Sequence, residues 1–300
     1  MKTARFFLQV FLLTFLFSAC TPAQPAPTSA AQAEVSGTAA PTQPALPTAA
    51  LLTPPAPEGM VFIPAGEFQM GCDPARNGGF SCPPDELPIH TVTLKAFFID
   101  RYEVTNARYA ECVLAGACRA PSVVSSETRD HYYDEPAFAD FPVVNVSWKD
   151  ANVFCQWAGK RLPTEAEWEK AARGGINAAF PWGNDEPSCI LVNAFDPLSG
   201  QLCLGDTSAV GAHPDGASGF GAEDMAGNVW EWVSDWYSET YYAESPAIDP
   251  AGPQGDTQKV LRGGSWASRT SYLRAAGRSL ELTFHNGSDI GFRCASDLTP

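Results

Sequence analysis

The sequence predicts one irregular α/β domain of the α+β type, rich in loops, over residues 58–300. Three segments in its first half begin with helix-capping residues, and the stretch from residue 59 to 100 contains alternating apolar runs typical of strands. After Gly175, glycine, proline, asparagine and aspartate recur every few residues, which indicates long loops joined by short strands. The chain is 45% hydrophobic, with 8 Trp and 18 Phe, which is enough material for a core.

The first 20 residues have the pattern of an export signal. Lys2 and Arg5 precede an apolar run over residues 6–17, which is too short for a stable membrane-spanning helix. Ser18-Ala19-Cys20 resembles the end of a bacterial lipobox, although Phe17 stands where that motif usually has Leu or a β-branched residue. We expect a lipoprotein signal peptide over residues 1–20, with a lipid on Cys20 that holds the protein at the outer face of a bacterial membrane. The alternative is an ordinary signal peptide and secretion.

Residues 21–57 predict a disordered tether. They are nearly all Ala, Pro, Thr, Ser and Gln, so they have too little apolar surface to offset the entropy of ordering, and the prolines keep the segment extended. The whole chain has a net charge of −15, which argues against nucleic-acid binding through a basic face. We expect a monomer.

The first part of the domain predicts strands. Within residues 59–71, apolar residues alternate on both sides of Pro64-Ala65-Gly66, the pattern of a β-hairpin. Residues 91–100 predict a further strand.

Three helices follow, each predicted from its capping residue. The first begins after Thr105 and runs to about Leu114, the second begins after Ser147 and ends at Gly159, and the third begins after Thr164 and stops at Gly174-Gly175. Four large aromatic residues are expected to give these helices their buried faces: Trp148, Phe154, Trp157 and Trp168.

The cysteines indicate an oxidising compartment and a disulfide framework. Spacing suggests three local loops, Cys72–Cys82, Cys112–Cys118 and Cys189–Cys203, which leaves Cys155 and Cys294 for each other. Eight cysteines permit about 105 pairings, so spacing alone does not decide between them. No C-x-x-C pair is present, which argues against a zinc ribbon.

The stretch from Asp224 to Trp232 predicts a buried strand with a charge that needs a partner. In an extended chain Trp230 and Trp232 face one side and Glu231 faces the other. A carboxylate beside two tryptophans is costly unless a cation or several donors meet it. Asp224, Glu231 and the carbonyls of the turn between them would offer only hard oxygens, which calcium prefers. The alternative is a plain turn and core strand in which an arginine pairs with Glu231.

Six motifs in order closely resemble those of the formylglycine-generating enzyme family, also called the sulfatase-modifying factor domain. They are Gly59-Met60-Val61-Phe62-Ile63-Pro64-Ala65-Gly66, Arg161-Leu162-Pro163-Thr164-Glu165-Ala166-Glu167-Trp168-Glu169, Phe180-Pro181-Trp182-Gly183, Gly227-Asn228-Val229-Trp230-Glu231-Trp232, Arg262-Gly263-Gly264-Ser265-Trp266 and Gly291-Phe292-Arg293-Cys294. The resemblance covers about residues 58–297. It implies a compact domain related to the C-type lectin fold, and the Cys155–Cys294 pairing matches a family disulfide.

The resemblance also implies two calcium sites. The second is similar to Asp224, Glu231 and the carbonyls of Met225, Gly227 and Val229. The first would use Asn193, the Ala194 carbonyl and Asp206, although the loop between Asn193 and Asp206 departs from the family in length.

The oxidase members of this family hold copper between two cysteines, and this chain lacks both. The matching positions are Ser268 and Leu273. A hydroxyl and an aliphatic chain cannot replace two soft thiolates around copper(I). We therefore expect no copper and no oxidation of substrate cysteine to formylglycine, and no catalytic residues at these positions. The superfamily's other enzymatic branch uses a histidine-ligated iron on an added helical domain. Here the histidines, His90, His131, His213 and His285, are scattered and no such domain follows.

Two functions are consistent with these observations. The first is a lipid-tethered, non-catalytic module that binds a protein, peptide or glycan. Its candidate pocket consists of Trp230, Trp266, Ser268, Arg269, Tyr272, Arg274 and Arg278. Arginine and aromatic residues are typical of binding hot spots, but any of these arginines could instead neutralise a buried acid. The second is a formylglycine-generating oxidase or a relative with altered chemistry. A purely structural envelope lipoprotein is a third idea.

Overall fold

Three α-helices, eleven β-strands and long loops make up the part of the chain that the computed structural model describes, residues 54–255 and 257–298. The loop-rich α+β class predicted from the sequence is therefore confirmed. The predicted signal peptide with Cys20, and residues 21–53 of the predicted tether, lie outside the described residues. No helix within the described ranges is long and apolar enough to cross a membrane.

The helices begin where their capping residues predict. They are α1 (Asn106–Leu114), α2 (Trp148–Trp157) and α3 (Glu165–Arg173). At α2 the Ser147 hydroxyl accepts from the Asp150 backbone nitrogen, and the Asp150 carboxylate accepts from the Ser147 nitrogen. Thr164 and Glu167 make the same reciprocal pair at α3, which ends at Gly174 in the left-handed conformation, φ 59°. Each pair satisfies two backbone N–H groups that a helix start would leave without partners.

The strands are short and form four sheets. They are β1 (Met60–Ile63), β2 (Gly66–Met70), β3 (His90–Leu94), β4 (Phe97–Asp100), β5 (Phe195–Asp196), β6 (Gln201–Leu202), β7 (Trp230–Trp236), β8 (Gln258–Arg262), β9 (Arg278–Leu282), β10 (Ile290–Gly291) and β11 (Ala295–Asp297). The main sheet has the order β10-β7-β8-β9, a second has β1-β4-β11, and β2-β3 and β5-β6 are two-stranded. Only the β10–β7 pair, among the described strands, is parallel.

The prediction of a β-hairpin within residues 59–71 is wrong. β1 pairs with β4, where Met60 lies opposite Asp100, and β2 pairs with β3, where Gly66 lies opposite Leu94. Residues 91–100, predicted as one strand, are divided between β3 and β4 by two residues. Alternation of apolar residues shows which face of a strand is buried, but the partner strand is chosen by long-range packing.

The core forms where α2 and α3 pack against the sheets. Trp168 of α3 is completely buried in a cluster with Ile63 and Val233, and Phe154 of α2 is buried in a second cluster with Trp232. The prediction that Trp157 is buried is wrong, because this last residue of α2 is 37% exposed. Its ring contacts Phe154 from the outside, with 5.7 Å between ring centroids.

Four disulfide bonds fasten the loops: Cys72–Cys82, Cys112–Cys118, Cys155–Cys294 and Cys189–Cys203. This is the pairing that spacing and the family resemblance predict. The Cys155–Cys294 bond joins α2 to the residue before β11 across 139 residues of sequence. Closing so long a loop restricts the unfolded chain and contributes about 2–5 kcal/mol to the free energy of unfolding.

Candidate functional site

Glu231 of β7 forms a completely buried ion pair with Arg293. The Nη2 atom of Arg293 donates to Glu231 Oε1 at 2.7 Å, and the Nε atom donates to Oε2 at 2.7 Å. The indole nitrogen of Trp168 also donates to Oε2, at 2.8 Å. Both oxygens of this carboxylate are therefore occupied, and arginine is the partner, as in the alternative that the sequence left open.

Asp224 and Glu103 form an acidic pair beside this ion pair. Asp224 has a positive φ of 55° and accepts from the Gly211 nitrogen at 2.6 Å. Glu103 accepts from Asn228 through Oε1 at 3.0 Å, while its buried Oε2 has no hydrogen-bond partner among the described residues. Burial, and then the charge of Asp224, raises the pKa of Glu103. Because these acids outnumber the nearby arginine, the cluster favours an additional cation or bound protons.

Asn193 and Asp206 of the expected first calcium site lie next to each other. The Asn193 Nδ2 atom donates to the Asp206 backbone oxygen at 2.8 Å. The Asp206 carboxylate accepts from Ser126 Oγ at 2.6 Å and from the nitrogens of Thr128 and Thr207 at 2.8 and 2.7 Å. Burial acts to raise the pKa of Asp206, but these hydrogen bonds outweigh it and lower the pKa. The Asn193 Oδ1 atom is buried without a partner among the described residues.

The two expected calcium sites are adjacent, because the Asn228 nitrogen donates to the Asn193 backbone oxygen at 2.9 Å. In the described residues, the carbonyls of Met225 and Gly227 accept no hydrogen bond, whereas the Ala194 carbonyl accepts from the Cys203 nitrogen at 2.9 Å. The fourth carbonyl of the expected set belongs to Val229, which is completely buried.

The donor set fits calcium in part. No three acidic, histidine or cysteine side chains within the described ranges converge as a metal centre. Free amide and carbonyl oxygens are present at Asn193, Met225 and Gly227, and calcium accepts such ligands readily. Glu231 does not fit, because Arg293 holds both of its oxygens.

The structure brings Ser268 and Leu273 together on the same side of Gly264. A Cβ on Gly264 would lie 2.9 Å from Leu273 Cδ2 and 3.2 Å from Ser268 Cβ. The Ser268 hydroxyl accepts from the Ser265 nitrogen at 2.9 Å, and Leu273 is completely buried in an apolar cluster with Phe180. All eight cysteines among the described residues are in disulfide bonds, so none of them offers a thiol at this position.

Near Ser268, Tyr272 is the exposed aromatic residue of the candidate pocket, Trp230 and Asp289 are half-buried, and Ser265 and Trp266 are buried. The rings of Trp230 and Tyr272 meet edge to face with centroids 5.8 Å apart, and Tyr272 is 49% exposed. The Ser265 hydroxyl donates to Asp289 Oδ2 at 3.2 Å, and the Trp230 nitrogen donates to the Asp289 backbone oxygen at 2.8 Å. Burial raises the pKa of Asp289. Trp266 is anchored by its indole nitrogen, which donates to the Ser288 carbonyl at 3.4 Å.

Two of the three predicted pocket arginines are placed elsewhere. Arg274 makes a bidentate pair with Glu86 at 2.6 Å for both bonds, and the Arg278 Nε atom donates to Glu165 at 2.6 Å. Both guanidinium groups neutralise buried acids and do not face the pocket. Arg269 stays exposed beside Ser268, with its guanidinium 5.5 Å from the centre of the Phe195 ring.

Sequence reasoning missed Glu103 and Asp289. Glu103 lies two residues before Thr105, the cap of α1, and Asp289 comes directly before β10. A charged residue next to a buried element is a signal that could have identified both. Neither residue is near Asn228 or Trp230 in the sequence, so only the fold shows what they contact.

Comparison with known proteins identifies relatives that match most of the domain. The family model described as "Sulfatase-modifying factor enzyme 1-like domain" matches residues 48–298. A formylglycine-generating enzyme of Streptomyces coelicolor is 38% identical over 289 residues, covering 81% of this chain and 91% of the relative. A serine/threonine-protein kinase, Pkn1 of Chlamydia trachomatis, is 38% identical over 264 residues, covering 80% of this chain but 38% of the kinase. The structure of PvdO from Pseudomonas aeruginosa superimposes with a TM-score of 0.65 at 30% identity, covering 80% of this chain and 94% of PvdO.

Proposed function

Because the chain belongs to the sulfatase-modifying factor enzyme 1-like family, we propose that it is a family member without copper chemistry: an exported, lipid-anchored binding module stabilised by calcium. Its ligand is a protein, peptide or glycan that contacts the exposed residues around Ser268. Each part of the proposal has its own support in the sequence or the site.

The pair of residues at the copper positions carries the proposal. Ser268 and Leu273 both lie on the side of Gly264 where a Cβ would stand, at the positions where the oxidases have two thiolates. The Ser268 hydroxyl is a hard ligand that already accepts a hydrogen bond, and the Leu273 side chain has no donor atom. Copper(I) requires soft sulfur ligands, so these residues do not fit the metal. All cysteines of the described domain form disulfide bonds, which supports the view that none of them replaces the missing copper ligands.

Calcium would stabilise the long loops in the second half of the chain. Asn193 Oδ1 and the carbonyls of Met225 and Gly227 would hold it, with Asp224 supplying negative charge close by. A cation there would also offset the excess acid at Glu103 and Asp224. In this assignment the calcium ligands come from both of the sites that the family resemblance implies. Glu231 is not a ligand and stays paired with Arg293.

The surface around Ser268 has the composition of a binding site. Tyr272 and Trp230 present an edge-to-face aromatic pair, and Arg269 lies exposed two residues after Ala267. Rigid aromatic groups next to an arginine are what interface hot spots use. The half-buried Asp289 adds a carboxylate beside this surface, held by a hydrogen bond from the buried Ser265 hydroxyl.

The sequence of the first 57 residues supports the anchoring. A lipid on Cys20 would fix the chain to a membrane, and the Pro- and Ala-rich residues 21–57 would hold the domain away from it. The net charge of −15 is consistent with an extended tether, since anionic lipid surfaces repel an acidic domain.

A copper and peptide assay on the purified full-length chain tests the proposal. The chain is incubated with copper(I) kept reduced by ascorbate and with a sulfatase peptide that contains the target cysteine, and the peptide mass is followed. We expect no bound copper and no loss of the thiol mass. Pull-down experiments from cell-envelope extracts then compare wild type with Tyr272→Ala. A component that wild type captures and Tyr272→Ala does not is the ligand.

A formylglycine-generating oxidase is the second candidate function, because a relative with that name is 38% identical over 91% of its own length. Conversion of the cysteine peptide with copper present would establish this candidate and contradict the binding-module proposal. Conversion without bound copper would indicate altered chemistry in the same pocket.

A further inference from the structure

A large groove lies beside α2, away from Ser268 and Leu273. We call it the α2 groove. Its volume is about 910 Å³, within the range of about 300–1,000 Å³ typical of small-molecule sites. Its lining includes Arg119, Trp148, Asn152, Trp236, Phe284 and Asn286. They come from four separate parts of the chain, and none belongs to the candidate pocket.

Two tryptophans form a rigid wall of the α2 groove. The rings of Trp148 and Trp236 are stacked, with centroids 6.4 Å apart and planes at 24°. The Lys259 Nζ atom lies 4.2 Å from the centre of the Trp148 ring and 3.7 Å from that of Trp236, and the Trp148 indole nitrogen donates to the Val233 carbonyl at 2.8 Å. Cation–π contact and the hydrogen bond fix both rings, so a ligand would meet an ordered aromatic surface at little entropic cost.

Phe284 stands exposed at the edge of the same groove. It is 74% exposed, although it is a large apolar side chain in a loop that follows β9. An aromatic ring in this position offers a second flat apolar face in the same groove as the two tryptophans.

Carboxamides supply the unused hydrogen-bonding groups of the α2 groove. The side chains of Asn152, Gln156 and Asn286 line it, and none of them has a hydrogen-bond partner among the described residues. A carboxamide offers two donors and an acceptor side by side, which matches neighbouring hydroxyl groups on one ligand.

The charges of the α2 groove are nearly balanced, unlike those of the chain as a whole. Arg119 pairs with Asp150 at 3.3 Å, and Asp150 also accepts from Ser147 at the start of α2. Lys149 is a single exposed cation beside them. The groove therefore has no concentration of charge that would select a strongly ionic ligand. The lining includes a single residue of a described strand, Trp236, so the groove does not run along a strand edge to which an extended peptide could add.

We propose that the α2 groove binds an uncharged oligosaccharide. The apolar face of a sugar ring packs on the aromatic side chains, and its hydroxyl groups bond to the carboxamides of Asn152, Gln156 and Asn286. This site is distinct from the surface around Ser268 and does not depend on the ligand or chemistry of that surface.

An array of neutral, sulfated and uronic-acid glycans together with a set of peptides, followed by titration of each bound compound with tryptophan fluorescence as the readout, tests the proposal on the full-length chain. We expect Phe284→Ala and Asn152→Ala each to weaken binding by about 3- to 10-fold. Leu198→Ala is the matched control for Phe284, because Leu198 is 76% exposed and lies outside the groove. It should leave the affinity unchanged, and all three variants should keep the wild-type circular dichroism spectrum.

Three results would overturn the proposal. The first is an array with no neutral glycan bound at millimolar concentration. The second is glycan binding that Tyr272→Ala removes while Phe284→Ala does not, because the sugar would then occupy the surface around Ser268. The third is binding restricted to sulfated or uronic-acid glycans or to peptides.

Discussion

The Asp235 carboxylate accepts a hydrogen bond from the backbone nitrogen of Glu165 at 2.9 Å, which joins strand β7 to the first turn of α3. Ser234 Oγ donates to the same oxygen at 2.9 Å, and Asp235 is 2% exposed. Burial, together with the neighbouring charge of Glu165, raises the pKa of Asp235 to about 7. The contact between β7 and α3 is therefore sensitive to pH.

Replacing Asp235 with asparagine should remove this sensitivity. Between its ordinary pKa of 3.8 and about 7, Asp235 stays protonated in the folded chain and ionises in the unfolded chain. The folded state then binds more protons, so the free energy of unfolding falls as pH rises through this window. We expect Asp235→Asn to unfold at the same temperature as wild type at pH 4, and to be more stable by on the order of 2 kcal/mol at pH 8. Thermal unfolding followed by circular dichroism measures both.

Asp196→Asn is the control for this measurement, because the Asp196 carboxylate is exposed and its pKa is lowered by hydrogen bonds from Ser199 and Leu198. Asp196→Asn should show no gain in stability at pH 8. An equal effect of Asp235→Asn on stability at pH 4 and pH 8 would contradict a raised pKa of Asp235 in the folded chain.

Breaking the buried pair of Glu231 and Arg293 should be costly. Arg293→Met leaves the Glu231 carboxylate buried without its partner, and we expect a loss of about 3–5 kcal/mol in the free energy of unfolding. The double variant Glu231→Gln with Arg293→Met should lose less, because no charge is left uncompensated. The exposed pair of Arg108 and Glu111, also at 2.7 Å, is the control, and Arg108→Met should cost about 0–1 kcal/mol. Denaturant titration gives all three values. Similar losses for Arg293→Met and Arg108→Met would show that burial does not increase the cost of breaking the ion pair.

Calcium should raise the unfolding temperature through Asn193. We expect wild type to unfold at a lower temperature in a chelator than in excess calcium, and Asn193→Ala to show little difference between the two conditions. Asn106→Ala is the matched control, because Asn106 is another buried asparagine whose Oδ1 lacks a partner among the described residues. It should be less stable than wild type in both conditions but keep the response to calcium. If wild type does not respond, the calcium proposal fails.

Introducing two thiols at the positions of Ser268 and Leu273 should create a copper site. Ser268 and Leu273 lie against the same side of Gly264, so the variant Ser268→Cys with Leu273→Cys would place two sulfur atoms close together. We expect this variant to bind one copper(I) ion in the presence of ascorbate, and the single variant Ser268→Cys to bind at least tenfold more weakly, since a two-sulfur site needs both ligands. Competition with a chromophoric copper(I) chelator measures the affinities. Strong binding by wild type would show that other residues hold the metal.

The helices and their ends could be predicted from the sequence because their signals are local. Ser147 with Asp150, and Thr164 with Glu167, satisfy backbone groups within three residues, so the pattern contains both the donor and the acceptor. The family motifs also gave the expected copper positions, Ser268 and Leu273, and the expected calcium ligands, which stay predictions. Strand pairing could not be predicted in this way, since β1 and β2 are adjacent in sequence but enter different sheets.

The partners of buried charges were also beyond prediction from local pattern. Arg293 is 62 residues from Glu231, and Arg274 is 188 residues from Glu86. The sequence shows that each acid needs a partner, but several arginines could satisfy it. Burial decides the choice, because each guanidinium bonds the carboxylate that the packed sheets place within reach.

By itself the sequence determined the loop-rich α+β class, the family and the three helices, and it has Ser268 and Leu273 where the family resemblance implies copper-binding cysteines. These follow from residue identity, from local hydrogen bonding and from the order of the motifs. The tertiary structure alone decided that Glu231 pairs with Arg293, that Asn193 Oδ1 is left without a donor, and that Trp148 and Trp236 line one groove. Such contacts depend on how distant segments pack, and the energy of packing is shared over many side chains that no single stretch of sequence contains.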